Sequence, residues 1–140
     1  MIILDTNVVS EPIKRDPNPA VIAWLDAQEA ETLFLTATSL AELLAGVEVL
    51  PMGRRRIELA EAIHGTVERL FGPRILPFDR RAADAYATLF ARARTSGYSI
   101  PLADGQIAAI AAVHKCEVAT RDTRPFLAAG VRVINPWNES

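Results

Sequence analysis

Residues 102–122 read LADGQIAAIAAVHKCEVATRD, and this stretch decides the fold. Leu102 to Lys115 is an alanine-rich run of helical length, and Glu117-Val118-Ala119 is a short run bounded by polar residues, as a strand would be. The same alternation recurs on either side. Ile2-Ile3-Leu4, Leu33-Phe34-Leu35, Arg74-Ile75-Leu76 and Val131-Arg132-Val133 supply the other strands, five in all. Asn18-Pro19 opens a helix as N-cap and first helical residue, with Val21, Ile22, Trp24 and Leu25 on its apolar face. Ser39 to about Leu50 is a second helical segment ending at Pro51, and after the turn Pro51-Met52-Gly53 a third runs from Arg54 to Leu70. Asp79 caps a helix reaching about Ser96, with Gly97 as its stop. No tight hairpin signal separates the strands, so right-handed crossovers and a mostly parallel sheet covered on both faces are expected. The class is α/β.

A chain of 140 residues suits one domain, 1–140. Half of it is hydrophobic and 23% is charged, which excludes a disordered chain. Fifteen Lys and Arg against 17 Asp and Glu exclude a nucleic-acid binder held by net charge alone, though a local basic rim is compatible with the balance. Cys116 is the sole cysteine and His64 and His114 are the only histidines, so neither an intrachain disulfide nor a thiolate or histidine zinc site can be built. Met1 to Leu4 lacks a basic region and meets Asp5 too early for a signal peptide, and Asp104 and Gln106 interrupt the run from Ile100 to Val113. A soluble cytoplasmic protein without a membrane span is expected.

In an open parallel sheet ligands bind beyond the carboxyl ends of the strands. Asp5 directly follows the first strand and Asp122 follows the fourth. Glu42 is expected in the first turn of the helix after the second strand, and Asp104 in the first turn of the alanine-rich helix. Four carboxylates at one edge repel, by roughly 4 kcal/mol per pair about 4 Å apart at an effective dielectric of 20, and a hard divalent cation relieves this. Oxygen ligands without His or Cys select magnesium or manganese, and such a site suits hydrolysis of a phosphodiester.

Each acid also has a purely structural use. Asp5 could start a turn, Glu42 could form a capping box with Ser39, Asp104 could complement a helix dipole, and Asp122 could cap a short helix near Thr123 to Ala128. Their coincidence at one sheet edge favours the site. Arg80, Arg81, Arg121 and Arg124 flank strand ends where substrate would lie, whereas Arg54-Arg55-Arg56 with Glu58 and Glu61 reads as a solvated helix face. His114 and Cys116 lack an orienting group for nucleophilic chemistry, and Trp24 and Trp137 read as core or interface anchors.

Asp5-Thr6-Asn7, Ser39-Leu40-Ala41-Glu42 with Gly46, Ala103-Asp104-Gly105-Gln106-Ile107-Ala108-Ala109 and Ala119-Thr120-Arg121-Asp122 resemble the four motifs of PIN-domain ribonucleases, in order and spacing over the whole chain. Within that family the chain is similar to VapC-type toxins, and Arg74 to Asp79 and Gly130 to Trp137 look like the FitB branch. The resemblance implies an α/β/α sandwich with strand order 3-2-1-4-5, which sets the first and fourth strands side by side. It implies metal-site roles for Asp5, Glu42, Asp104 and Asp122, with Thr6, Asn7 and Thr120 orienting them or water. Many relatives carry Asn at the place of Asp122 and an acid three residues later, where this chain has Pro125. The fourth carboxylate therefore rests on Asp122. A magnesium-dependent endoribonuclease is implied, acting as the toxin of a toxin-antitoxin pair. Its partners would be RNA, a second copy of itself, and a small DNA-binding antitoxin that inserts an arginine among the acids.

Two other readings share this frame. A haloacid-dehalogenase-type phosphatase would carry a second Asp two residues after Asp5, where Asn7 stands, and a receiver domain would need an acid beside Asp5 and a Lys beyond Lys115. A PIN fold kept only to bind a partner is the non-enzymatic alternative.

Overall fold

Five short strands pair in parallel in the order β3-β2-β1-β4-β5: β1 (Ile2–Leu4), β2 (Leu33–Thr36), β3 (Ile75–Leu76), β4 (Glu117–Ala119) and β5 (Val133–Ile134). The computed structural model describes residues 1–138. Among the described residues seven α-helices connect or follow the strands: α1 (Thr6–Ser10), α2 (Pro19–Asp26), α3 (Ala37–Glu48), α4 (Arg54–Leu70), α5 (Arg80–Thr95), α6 (Leu102–His114) and α7 (Arg124–Ala128). The expected order 3-2-1-4-5 is the observed one.

Side chains on a strand alternate between faces, and here each face meets its own set of helices. Ile3 and Val118 join Leu89, Ile107, Ile110 and Phe126 in a core under α5, α6 and α7. Leu4, Ala119, Leu33 and Leu35 join Val8, Val21, Leu43, Ile63 and Phe71 in a second core under α1 to α4. Burial on both sides makes the α/β/α sandwich and explains why the strands read as apolar runs. Asn18 caps α2 through the Ala20 N–H and Asp79 caps α5 through the Ala82 N–H, both as expected.

Four boundary expectations are corrected. Helix α3 begins at Ala37, because Thr36 is its N-cap and accepts the Ser39 N–H at 3.0 Å. Ser39 is therefore no cap, the capping box does not form, and Glu42 stands in the second turn. The structure also adds α1, too short to show a period, directly after β1. Asp122 does not cap α7, whose N-cap position belongs to Thr123. Finally, β5 starts at Val133. The Val131 N–H is bonded to the Phe126 carbonyl and the Gly130 N–H to the Leu127 carbonyl, a Schellman closure with Gly130 at φ 80°. That closure withholds Val131 from the ladder, and pairing begins at the Arg132 carbonyl, which accepts the Val118 N–H.

Candidate functional site

Strands β1 and β4 lie side by side, so the residues leaving them meet at the point where the strand order reverses. Asp5, only 5% exposed, is the N-cap of α1, with Oδ1 accepting the Thr6 N–H at 2.8 Å. Its other oxygen accepts the Thr120 hydroxyl at 2.8 Å. Thr120 is a hub. Having given its one proton to Asp5, its oxygen accepts the Asp122 N–H at 3.0 Å and the Asn7 carboxamide N–H at 3.3 Å. Asn7 is held at its other end as well, since Oδ1 accepts the Arg121 N–H at 3.3 Å. Asp5 thus serves the turn and the cluster together.

Glu42 and Asp104 arrive from helices on opposite faces of the sheet. Thr38 near the start of α3 donates to Gln106 Oε1 near the start of α6 at 3.0 Å, which ties the two helix starts together at this edge. Gly105 lets α6 sit close to α5. A Cβ there would lie 2.6 Å from the Tyr86 ring, and that ring is itself held between Phe78 and Phe90.

The acids feel one another. Burial raises the Asp5 carboxyl above its ordinary range, repulsion from Asp122 adds to this, and the hydrogen bonds from Thr120 and Thr6 oppose it. Glu42 is raised by burial and then by Asp5 and Asp104. Asp104 is pushed up to about 6 by burial, followed by Asp5 and Asp122. All four carboxylates are linked by these repulsions. Among the described residues, no three already stand at the spacing of a metal cage, and both oxygens of Asp5 are engaged by Thr6 and Thr120. The donor set is nonetheless oxygen-only, concentrated at one edge, and electrostatically in deficit of a cation, which fits a hard divalent metal.

The PIN domain family matches residues 2–131. The chain belongs to the PIN-domain family. It is 52% identical over 137 residues to VapC ribonuclease Y4jK of Sinorhizobium fredii, covering 98% of each protein. It is 48% identical over 139 residues to Toxin FitB of Neisseria gonorrhoeae, covering 99% of this chain and 100% of that one. Among solved structures, FitAB bound to an IR36 DNA fragment superposes with a TM-score of 0.94 at 46% identity, covering 100% of this chain and 98% of that one. The PIN-domain resemblance carried by the four motifs, and the FitB likeness carried by Arg74 to Asp79 and Gly130 to Trp137, are thereby borne out.

In this PIN domain the four expected arginines part company. Arg121 adjoins the acids and lies 5.2 Å over the Trp137 ring, while Arg124 lies 5.1 Å over Tyr98. Arg80 and Arg81 open α5 beyond β3, two strands away from β1 and so about 10 Å to the side. Neither is paired with an acid among the described residues. The Cys116 thiol donates to the His114 backbone carbonyl at 3.8 Å rather than to its ring, and burial raises its pKa, so it stays a thiol. Trp24 packs against the second core, as an anchor should.

Sequence reasoning missed the Thr38–Gln106 tie and the buried Glu11, whose carboxylate is satisfied by the Asn18 N–H and by the Lys14 ammonium at 2.9 Å. The second had a signal, since Glu11 follows Asn7 by one helical turn, but only with α1 in place does that spacing acquire meaning.

Proposed function

We propose that this PIN-domain protein is a metal-dependent endoribonuclease and the toxin of a toxin-antitoxin pair, as the names of its VapC and FitB relatives suggest. The observation that carries the reading is the meeting of Asp5 and Asp122 beyond the adjacent strands β1 and β4, with Glu42 and Asp104 brought to the same sheet edge by the tied starts of α3 and α6. These four would hold magnesium or manganese, which when bound supplies charge screening and Lewis acidity toward a phosphate oxygen. The chain's own part is positioning. Thr120 fixes one oxygen of Asp5, Asn7 is locked between Thr120 and the Arg121 backbone, and the Thr38–Gln106 bond sets Glu42 against Asp104. Asn7, a carboxamide held at both ends, is no stand-in for the second Asp of a phosphatase.

The partner reading rests on the same edge. Between α1, α3 and α4 lies a groove of about 280 Å³, lined by Thr6, Ser10, Leu43, Leu59 and Ile63 together with Glu42. An antitoxin segment laid there would bring an arginine within reach of the acids, where charge-assisted hydrogen bonds replace the cation. The FitAB structure on DNA supports a small DNA-binding partner for this chain. A homodimer and a cytoplasmic setting belong to the same reading; among the described residues, no helix is long and apolar enough to cross a membrane.

The test is RNA cleavage by the purified chain. Magnesium or manganese should support it, EDTA should abolish it, and folded Asp5→Asn or Asp104→Asn should lose most of it. Undiminished cleavage in EDTA or by either variant rejects the reading. Failure of calorimetry to detect magnesium binding would favour the partner-binding alternative. A fully occupied metal site in an inhibited antitoxin complex would reject inhibition by metal exclusion.

A further inference from the structure

At the edge of the sheet away from the acids, a cavity of about 440 Å³ opens between α5 and the turns that lead into β4 and β5. Lys115 and Cys116 precede β4, whereas Thr120 and Asp122 follow it, so the length of that strand, roughly 10 Å, separates the cavity from the cluster. One face of α5 forms the first wall, with Ala85, Thr88, Leu89 and Arg92 at the i, i+3, i+4, i+7 spacing. Two helix closures form the other. After α6 the chain turns left-handed at Lys115, with the Cys116 N–H on the Ala111 carbonyl, and after α7 it turns at Gly130, with the Val131 N–H on the Phe126 carbonyl.

The floor is apolar, since Leu89, Ala111, Cys116, Ala129 and Val131 are all buried. The rim is cationic. Arg92, Lys115 and Arg132 line it, all exposed, and no acid joins them among the described residues. Arg56 is paired with Glu48 and Arg74 is spent on the Leu33 and Leu70 carbonyls, but among the described residues the side chains of Arg92, Lys115 and Arg132 make no ion pair and no hydrogen bond. Three like charges around one hollow, in a chain whose formal net charge is -2, leave a local deficit of negative charge. Helix dipoles favour a cation at the ends of α5 and α6, yet they do not account for Arg132, which leads into β5. Nor do they account for the choice at 115. Among the described residues Lys115 is the one non-glycine at positive φ, 55°, where a helix end is best served by glycine, so the chain keeps a charged side chain at a position that resists one.

We infer that this cavity binds a small organic phosphate, with the phosphate held by Arg92, Lys115 and Arg132 and the apolar body seated on the floor. Two forked guanidiniums and an ammonium match a dianion with several acceptor oxygens, whereas one arginine would satisfy a carboxylate. The buried floor takes carbon, and the volume is that of a small-molecule site. A hollow bounded by two helix closures suits one phosphate group rather than the length of a nucleic-acid strand. The site shares no residue with the acid cluster and does not rest on the ribonuclease reading.

The experiment is calorimetric titration of the full-length chain, in EDTA at low salt, with phenyl phosphate, inorganic phosphate and phenol. Phenyl phosphate should bind at least about tenfold more tightly than either of its halves. Arg92→Gln, Arg132→Gln and Lys115→Gly should each weaken it by about tenfold, as loss of a charge-assisted hydrogen bond would. Arg94→Gln removes the same charge from α5 outside the cavity, and should leave binding within about twofold of the wild type. Lys115→Gly should melt no lower than the wild type, because glycine suits the left-handed turn, so that binding lost there is not fold lost. Ala112→Leu, at an exposed helix position on the cavity wall, should remove the advantage of phenyl phosphate over inorganic phosphate. Undetectable binding of phenyl phosphate, inorganic phosphate bound as tightly as the ester, or equal weakening by Arg92→Gln and Arg94→Gln overturns the site. A short oligouridylate that displaces phenyl phosphate, and binds more tightly than it through the same three cations, would make this surface a nucleic-acid track and reject the small ligand.

Discussion

Thr120 carries more of the site than any acid does, because a single buried hydroxyl orients Asp5, Asn7 and the Asp122 backbone. Thr120→Val keeps the shape and removes all three bonds, leaving one Asp5 oxygen and two N–H groups, of Asp122 and Asn7, without their partner. It should cost about 1–3 kcal/mol in urea unfolding, with Thr120→Ser recovering most of the loss. Asp104 gives a prediction of opposite sign. Its carboxyl is raised to about 6 in the folded chain, above the ordinary value of 3.8, so the folded state binds the extra proton between those limits. The stability this group contributes is complete below about pH 4 and is lost as the pH rises through 6. In EDTA, Asp104→Asn should therefore melt higher than the wild type at pH 7.5, and the gap should close toward pH 4. The comparison of the two proteins isolates Asp104 from Glu11, which the Asn18 N–H and Lys14 hold below the usual range and which pulls the other way in acid. A variant that melts lower at pH 7.5, with a gap independent of pH, would contradict the cluster.

Elements were legible wherever one residue type leaves a single option, and misread where two residues competed for one role. Asn18-Pro19, Asp79 and Gly97 each mark a helix end, and each stands where it was expected. Ser39 and Glu42 also fit a capping box, but Thr36 is at the end of a buried strand and takes the Ser39 N–H first, so the helix starts earlier and the box is lost. At β5 the competition was for the Val131 N–H, which the end of α7 claims from five residues away. The placement of α6 depends on Gly105. Adding a methyl would drive it into Tyr86, which is stacked on Phe90 at 5.7 Å and meets Phe78 edge-on at 6.3 Å, and so cannot easily yield. Gly105→Ala should destabilise by about 1–3 kcal/mol in denaturant unfolding despite its gain in helix propensity. The same shift of α6 carries Asp104, so magnesium affinity should fall as well. An alanine variant as stable as the wild type would show that α6 can move freely.

At the scale of the molecule, the sheet edge was readable because strand ends are local features, and each acid lies within one element of its strand. The cavity by Lys115 was not, since its walls come from α5, the end of α6 and residues 129–132, which only the completed fold brings together. The whole structure also sets the last prediction. Folding places four carboxylates at one edge, and the unfolded chain separates them, so a cation that binds only the assembled site must stabilise the fold. At about 100 times its dissociation constant, magnesium should add roughly 2.7 kcal/mol, or ~8 °C in Tm for a domain of this size. Sodium chloride of matched ionic strength should give much less, because screening acts weakly on partly buried pairs. Asp104→Asn relieves the same repulsion by deleting a charge, so the two treatments must fall short of additivity. The variant should start above the wild type in EDTA and gain less from magnesium, and the two melting temperatures should converge or cross as the ion is raised. Parallel melting curves, with the same increment in both proteins, would mean that magnesium stabilises the chain somewhere other than among Asp5, Glu42, Asp104 and Asp122.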